Sequence, residues 1–247
     1  MRNFTLSDFR EREILRKLAH IILSLLMIIP LSPKYSLPIT GFGTFDNALT
    51  TYTAALVTVL FVTSLQVKKP ELREAMLRLS REARKSVLQH LREVIPNQEL
   101  VEGVEQALDR AESGFLSIIE SIERDYERRY GYIAAVCGLT GVTASYIFFG
   151  REATLRGILA LAVVDPVASI TTLYSPVQGR ILKHNVFSPF ASFLVYFLIL
   201  IIMGESIITA LILGLASSTV ELLSLEDNLT LPLGAASLYI LCVKIGL

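Results

Sequence analysis

The chain has no surplus charge of either sign. Across 247 residues, 23 Lys and Arg are balanced by 23 Asp and Glu. A nucleic-acid surface draws on a basic excess, so composition makes no case for one. Cysteine is scarce: Cys137 and Cys242 are the two present. They lie too far apart to form a zinc or redox motif, and both read as small apolar fillers of membrane spans. The phosphate-cradling G-x-x-x-x-G-K-[ST] loop is missing, which excludes a P-loop kinase. Gly41-Phe42-Gly43 is a lone short glycine pair that reads as a turn. Charged residues make up only 19% of the chain, against about a quarter in soluble domains.

What is abundant is apolar. Hydrophobic residues reach 52% and the mean hydropathy is +0.54. Runs long enough for a bilayer recur, so the expected class is an all-α, polytopic membrane helix bundle of about seven transmembrane helices. The spans are read near Leu18–Leu31, Leu49–Val67, Gly131–Gly150, Leu155–Tyr174, Val186–Gly204, Ser206–Leu225 and Leu231–Leu247. The first follows a charged start without a small-residue cleavage site, and more spans come after it, so it reads as a span and not as a signal peptide. Lys and Arg orient the bundle: segments 1–17, 66–130, 175–185 and 226–230 hold 19 of the 23. Discounting the long 66–130 segment, a bias of 7 to 4 remains. It places the N-terminus in the cytoplasm and the C-terminus outside.

Three segments follow. Residues 1–67 carry two spans and 131–247 form a C-terminal bundle. Between them, 68–130 reads as an inserted cytoplasmic hairpin of amphipathic helices. Leu72, Met76, Leu79, Ala83, Val87, Leu91 and Val94 recur at helical spacing. Pro96 ends that helix, and Asn97 can cap the next. In the second, Leu100, Val104, Ala107, Leu108, Ala111, Phe115, Ile118, Ile119 and Ile122 share a face. Packing these two faces together is the simplest reading; a lid over a membrane site or a homodimer contact is the alternative.

Polar groups within a bilayer are costly and mark function by default. Four clusters stand out. Arg16, Lys17 and His20 open the first span, with Arg16 and His20 four apart and Lys17 and His20 three apart, suited to polyphosphate or to anchoring at the interface. Asp165, with Pro166 expected to kink or break its helix, lies among Leu, Ala and Val in the fourth span, followed by Ser169. The connection from Gln178 to Asn185 offers Arg180 and Lys183 to phosphate oxygens. Glu221 and Asp227-Asn228 stand at the end of the sixth span, where carboxylates facing a triphosphate favour a bridging magnesium. The charge-derived topology puts all four on one face, as a composite site requires.

These residues, in this order, resemble the polyprenol kinase family, which includes dolichol kinase and phytol kinase. The likeness lies in Arg16-Lys17-Leu18-Ala19-His20, Asp165-Pro166-Val167-Ala168-Ser169, the spacing of Lys183 and Ser188, and Glu221 with Asp227-Asn228-Leu229-Thr230-Leu231-Pro232. It covers the first span and 131–247, leaving out the hairpin. Val164 stands where that family usually has Gly, and Val186-Phe187 where Glu-Gly is frequent. The resemblance implies transfer of the γ-phosphoryl group of CTP to a long isoprenoid alcohol in the bilayer, with Mg²⁺ as cofactor. Asp165, Asp227 and Glu221 would be catalytic, Asp165 and Asp227 holding the metal. Arg16, Lys17, His20, Ser169, Lys183 and Asn228 would bind nucleotide, phosphate or alcohol. Two other classes remain open: a CTP-using lipid cytidylyltransferase, whose dense acidic and glycine signature near the C-terminus is missing here, and a transporter or non-enzymatic membrane scaffold.

Overall fold

The computed structural model describes residues 6–35, 46–69, 130–175 and 180–247, with positions 71, 78, 79, 82, 83, 86, 103, 105–114 and 127 between them. Two compact units emerge, one of Met1–Leu60 with Ile133–Leu247 and one of Phe61–Tyr132. The first contains α1 (Leu6–Leu26), a 3₁₀ turn (Ile29–Leu31), most of α2 (Asn47–Lys68), α3 (Ile133–Tyr174), a two-stranded hairpin of β1 (Arg180–Ile181) and β2 (His184–Asn185), α4 (Ser188–Ile202), α5 (Ile207–Leu223) and α6 (Asp227–Lys244). The two strands pair antiparallel, Arg180 with Asn185 and Ile181 with His184.

Arg10–Leu31, Asn47–Lys68 and Ile133–Tyr174 are long and apolar enough to cross a membrane, whereas Ser188–Ile202 and Ile207–Leu223 are shorter apolar helices. The distribution of polarity fits such a solvent. Ser145, Thr154, Ser192, Thr209, Ser217 and Ser218 are buried, while Phe148 is 73% and Ile202 83% exposed. A chain folded in water buries the opposite sets.

The break in α3 is at Gly150, where the third expected span ends, and no second break follows at Pro166. Gly150 has φ 79° and ψ −178°, a conformation open essentially to glycine alone. Pro166 stays inside the helix. Proline removes one N–H, leaving the carbonyl four residues back without its helical donor, but its fixed φ is itself helical. The remaining turns hold the helix through it.

Both halves of α3 pack on α6 through glycines. A Cβ on Gly141 would lie 2.8 Å from the Leu229 carbonyl oxygen, and one on Gly157 would lie 2.5 Å from that of Pro232. Such close backbone approach is how helices associate where no water drives them together. It also accounts for α6 beginning at Asp227, four residues before the expected span. Ahead of Pro232, Leu229 and Thr230 donate backbone hydrogen bonds to the Glu226 carbonyl at 3.1 Å.

The apolar core has two parts. Ala160, Val164, Tyr196, Leu200, Leu213 and Leu231 unite α3 to α6, and Leu31, Ala48, Tyr52, Val142 and Ile158 unite the N-terminal elements with α3. The α4–α5 connection is closed locally. Gly204 (φ 89°) follows α4, the Glu205 N–H reaches the Leu200 carbonyl at 3.1 Å, and Ser206 Oγ accepts from Thr209 N at 3.1 Å. This is a Schellman end followed at once by an N-cap.

In the unit Phe61–Tyr132, Gly131 adopts φ 83° and a Cβ there would meet the Thr63 methyl at 2.2 Å. Gln66 Nε2 donates to the Glu127 carbonyl at 3.2 Å. Residues 105–114 are helical, and Leu79 and Leu108 are 70% and 41% exposed. Leu72, Met76, Val87, Leu91, Val94, Leu100, Val104, Phe115, Ile118, Ile119 and Ile122, with Pro96 and Asn97, lie outside the described residues, and so does the expected pairing of two apolar faces.

Candidate functional site

Consecutive residues on a helix point about 100° apart, so Arg16 and Lys17 cannot serve the same partner equally. Lys17 turns inward: its Nζ donates to Asp165 Oδ1 at 2.6 Å and Oδ2 at 2.8 Å, with both residues buried. His20, one turn on, has Nε2 3.1 Å from the Leu161 carbonyl and 3.7 Å from Asp165 Oδ2. Arg16 instead pairs with Glu13 on its own helix, Nη1 to Oε1 at 2.7 Å. Along α3, Ser169 lies one turn after Asp165 and donates to its Oδ1 at 3.3 Å. Lys17 and Ser169 also line a small cleft with Glu13, Ile170 and Leu173.

The second half of the site comes from the β1–β2 hairpin. Its turn passes through Leu182 at φ 56° and presents Lys183 and His184. Lys183 Nζ is 2.7 Å from Asp227 Oδ1 and 3.2 Å from Glu221 Oε1. His184 Nε2 is 2.7 Å from the same Glu221 oxygen, and its Nδ1 is 2.9 Å from Thr172 Oγ1. The hairpin is locked from below. Asn185 Oδ1 accepts from Phe187 N, Ser188 N and Ser188 Oγ, each at 2.9 Å. Those bonds satisfy donors at the start of α4, and Thr172 Oγ1 reaches Ser188 Oγ at 2.7 Å.

Asp165, Glu221 and Asp227 therefore come together from α3, α5 and α6, and each offers one oxygen within 4.8 Å of the others. Oxygens on opposite sides of an ion are about 4 Å apart for Mg²⁺ and about 5 Å for Ca²⁺, so a single hard cation fits with little adjustment. The donor set is all oxygen, as such ions require. Glu221 is 0% exposed. Its Oε1 has two donors, but its Oε2 has no hydrogen-bond partner among the described residues. A buried, unsatisfied carboxylate oxygen is expensive, and a cation would satisfy it.

Of the residues singled out in sequence, the cluster contains Lys17, His20, Asp165, Ser169, Lys183, Glu221 and Asp227. Arg16 faces Glu13 instead. Asn228 packs its Cβ 3.9 Å from the position a Cβ on Gly138 would take, and no described bond ties it to the carboxylates. Sequence reasoning passed over His184 as a site residue, together with Thr172 and Asn185. Histidine is rare, three in the chain, and one beside Lys183 was the available signal.

A second charged group sits at the other end of α5. Arg156 pairs with Glu205 (Nε to Oε1, 2.8 Å) and with Glu152, and its guanidinium lies 4.5 Å from the Tyr239 ring centre. Tyr196 donates to the Arg156 carbonyl at 2.8 Å. With its charge matched and its face stacked, this group ties helices together. No family model, curated protein or solved structure matches the chain.

Proposed function

We propose that this protein is an integral membrane phosphotransferase that moves the γ-phosphoryl group of CTP to a long-chain isoprenoid alcohol at the cytoplasmic face. The observation carrying this reading is the meeting of three carboxylates and two lysines, supplied by five separate elements, in one largely buried cluster. The resemblance to polyprenol kinases supplies the nucleotide and the alcohol. In this reading the chain spans the membrane seven times, through α1, α2, both halves of α3, α4, α5 and α6, with its N-terminus in the cytoplasm.

Phosphoryl transfer needs positioning and charge stabilisation more than covalent help. Asp165, Glu221 and Asp227 are the residues that would hold Mg²⁺. Bound there, the ion would supply Lewis-acid stabilisation of the charge that develops during transfer. Lys17 and Lys183 hold phosphate oxygens, and His20 faces the same anion from α1. Ser169, beside Asp165 and on the cleft between α1 and α3, orients the alcohol hydroxyl. Asn228 stands beside Asp227 as a nucleotide contact. Arg16 and its partner Glu13 flank the cleft without entering the cluster.

The test is transfer of label from γ-labelled CTP to a panel of isoprenoid alcohols by purified protein with Mg²⁺. Wild type should yield labelled lipid phosphate. Asp165→Asn and Asp227→Asn should each lose roughly 100-fold or more, the scale of removing a group that stabilises transition-state charge, at matched levels of folded protein. Entry of α-label instead of γ-label into lipid would reassign the site to cytidylyl transfer. No transfer to any alcohol, with CTP bound, would sink the kinase reading.

A further inference from the structure

Without a metal, the carboxylates already have cations. Lys17 holds both oxygens of Asp165 at 2.6 and 2.8 Å. Lys183 lies 2.7 Å from Asp227 and 3.2 Å from Glu221. A divalent ion shared by these carboxylates, whose ligand oxygens lie within 4.8 Å of one another, would compete with the two ammonium groups for them, because like charges that close repel in a buried setting. Resting on the reading above, the geometry points to a cation exchange: Lys17 and Lys183 are place-holders, which leave the carboxylates when the metal arrives and close on the phosphates that come with it.

The consequence is linkage. Metal alone must displace the buried Lys17 ammonium and the part-exposed Lys183 ammonium, which then lose their counter-ions, so it binds weakly. Polyphosphate alone must draw the same lysines off carboxylates that would be left unpaired, so it also binds weakly. Together, each gives the other's displaced group its partner. Coupling of this kind is reciprocal by necessity. The two lysines divide the task by exposure: Lys17 is buried with Asp165, whereas the Lys183 side chain remains 32% exposed on the hairpin turn, free to swing. His184 stays on Glu221 Oε1 and keeps that carboxylate in place throughout.

The experiment uses the full chain in nanodiscs, Mn²⁺ as the metal probe followed by its electron paramagnetic resonance signal, and inorganic tripolyphosphate as the anion. Wild type should bind Mn²⁺ roughly ten- to a hundredfold more tightly with tripolyphosphate saturating than without, beyond the Mn²⁺–tripolyphosphate association measured alone, with an equal gain for tripolyphosphate. Lys183→Met should shift the two affinities in opposite directions, tightening Mn²⁺ alone and weakening tripolyphosphate. That opposed pair is a signature that misfolding cannot produce. Lys17→Gln provides the same contrast from the buried side. Mn²⁺ and tripolyphosphate binding independently in wild type, or Lys183→Met weakening both, would overturn the exchange while leaving the phosphotransferase reading intact. Binding of neither would overturn both.

Discussion

Lys17 and Asp165 form a deeply enclosed ion pair, each less than a tenth exposed. Two charges withdrawn from solvent are tolerated because each answers the other, and removing one leaves its partner stranded. Lys17→Met is therefore expected to destabilise the fold by about 3–5 kcal/mol, read as a drop in the thermal midpoint of the detergent-solubilised protein. Lys17→Met combined with Asp165→Leu should recover most of that loss, because it removes both charges and fills the space with apolar groups. Equal or greater loss in the double variant would mean that the pair is not the source of the effect. Asp165, Glu221 and Asp227 were legible in sequence for this same reason, being carboxylates in or beside apolar runs. The bond from His184 to Glu221 was not, because 37 positions separate them and only the hairpin brings the imidazole under α5.

At the level of elements, helix starts and breaks decide which groups meet. Asp46 begins α2: its Oδ1 accepts from Ala48 N at 2.9 Å and Leu49 N at 3.1 Å, while Tyr146 donates to Oδ2 at 2.6 Å. Partial burial works to raise the Asp46 carboxyl, but these hydrogen bonds outweigh it and hold it below the usual range. A carboxyl depressed in the folded state adds stability above its unfolded value of about 3.9 and loses it as pH falls through the folded value. Asp46→Ala should thus cost about 1 kcal/mol near neutrality, the usual worth of an N-cap, and the gap from wild type should narrow on acidification below about pH 4. A gap independent of pH would show that the carboxylate is not the cap. Gly157→Ala is a sharper case, because its added methyl meets backbone at Pro232 O and not a yielding side chain. It should separate α3 from α6 and cost about 1–3 kcal/mol as an overpacked contact, whereas alanine at Gly234, with 3.7 Å to the nearest side-chain atom, should be close to neutral. The helices themselves were visible as apolar runs. The span end at Gly150 was legible as well, but the continuity of α3 through Pro166 and the early start of α6 at Asp227 were not.

Within the unit of Met1–Leu60 and Ile133–Leu247, two charged groups stand at opposite ends of α5. Glu205 precedes α5 and Glu221 lies within its last turn, so about 21 Å of helix stands between the Arg156 group and the carboxylate cluster at 1.5 Å per residue. The Arg156 group is closed by its own partners. The carboxylate cluster keeps a part-exposed Lys183 and a Glu221 oxygen without a partner among the described residues, so under the proposed function a water-soluble nucleotide would arrive at that end. The Lys and Arg bias predicts that this end faces the cytoplasm, and the prediction can be measured without any activity. In a background of Cys137→Ala and Cys242→Ala, single cysteines would be placed at Leu225, 99% exposed at the cluster end, and at Lys34, exposed beyond the far end of α1. In sealed cells a membrane-impermeant maleimide should label Lys34→Cys and spare Leu225→Cys, and permeabilisation should then expose Leu225→Cys. The inverse pattern would turn the bundle over and leave the cluster facing away from cytoplasmic nucleotide, so the phosphotransferase reading would fall with it. Labelling of both from outside would remove the membrane between the two ends, and with it the seven-span arrangement.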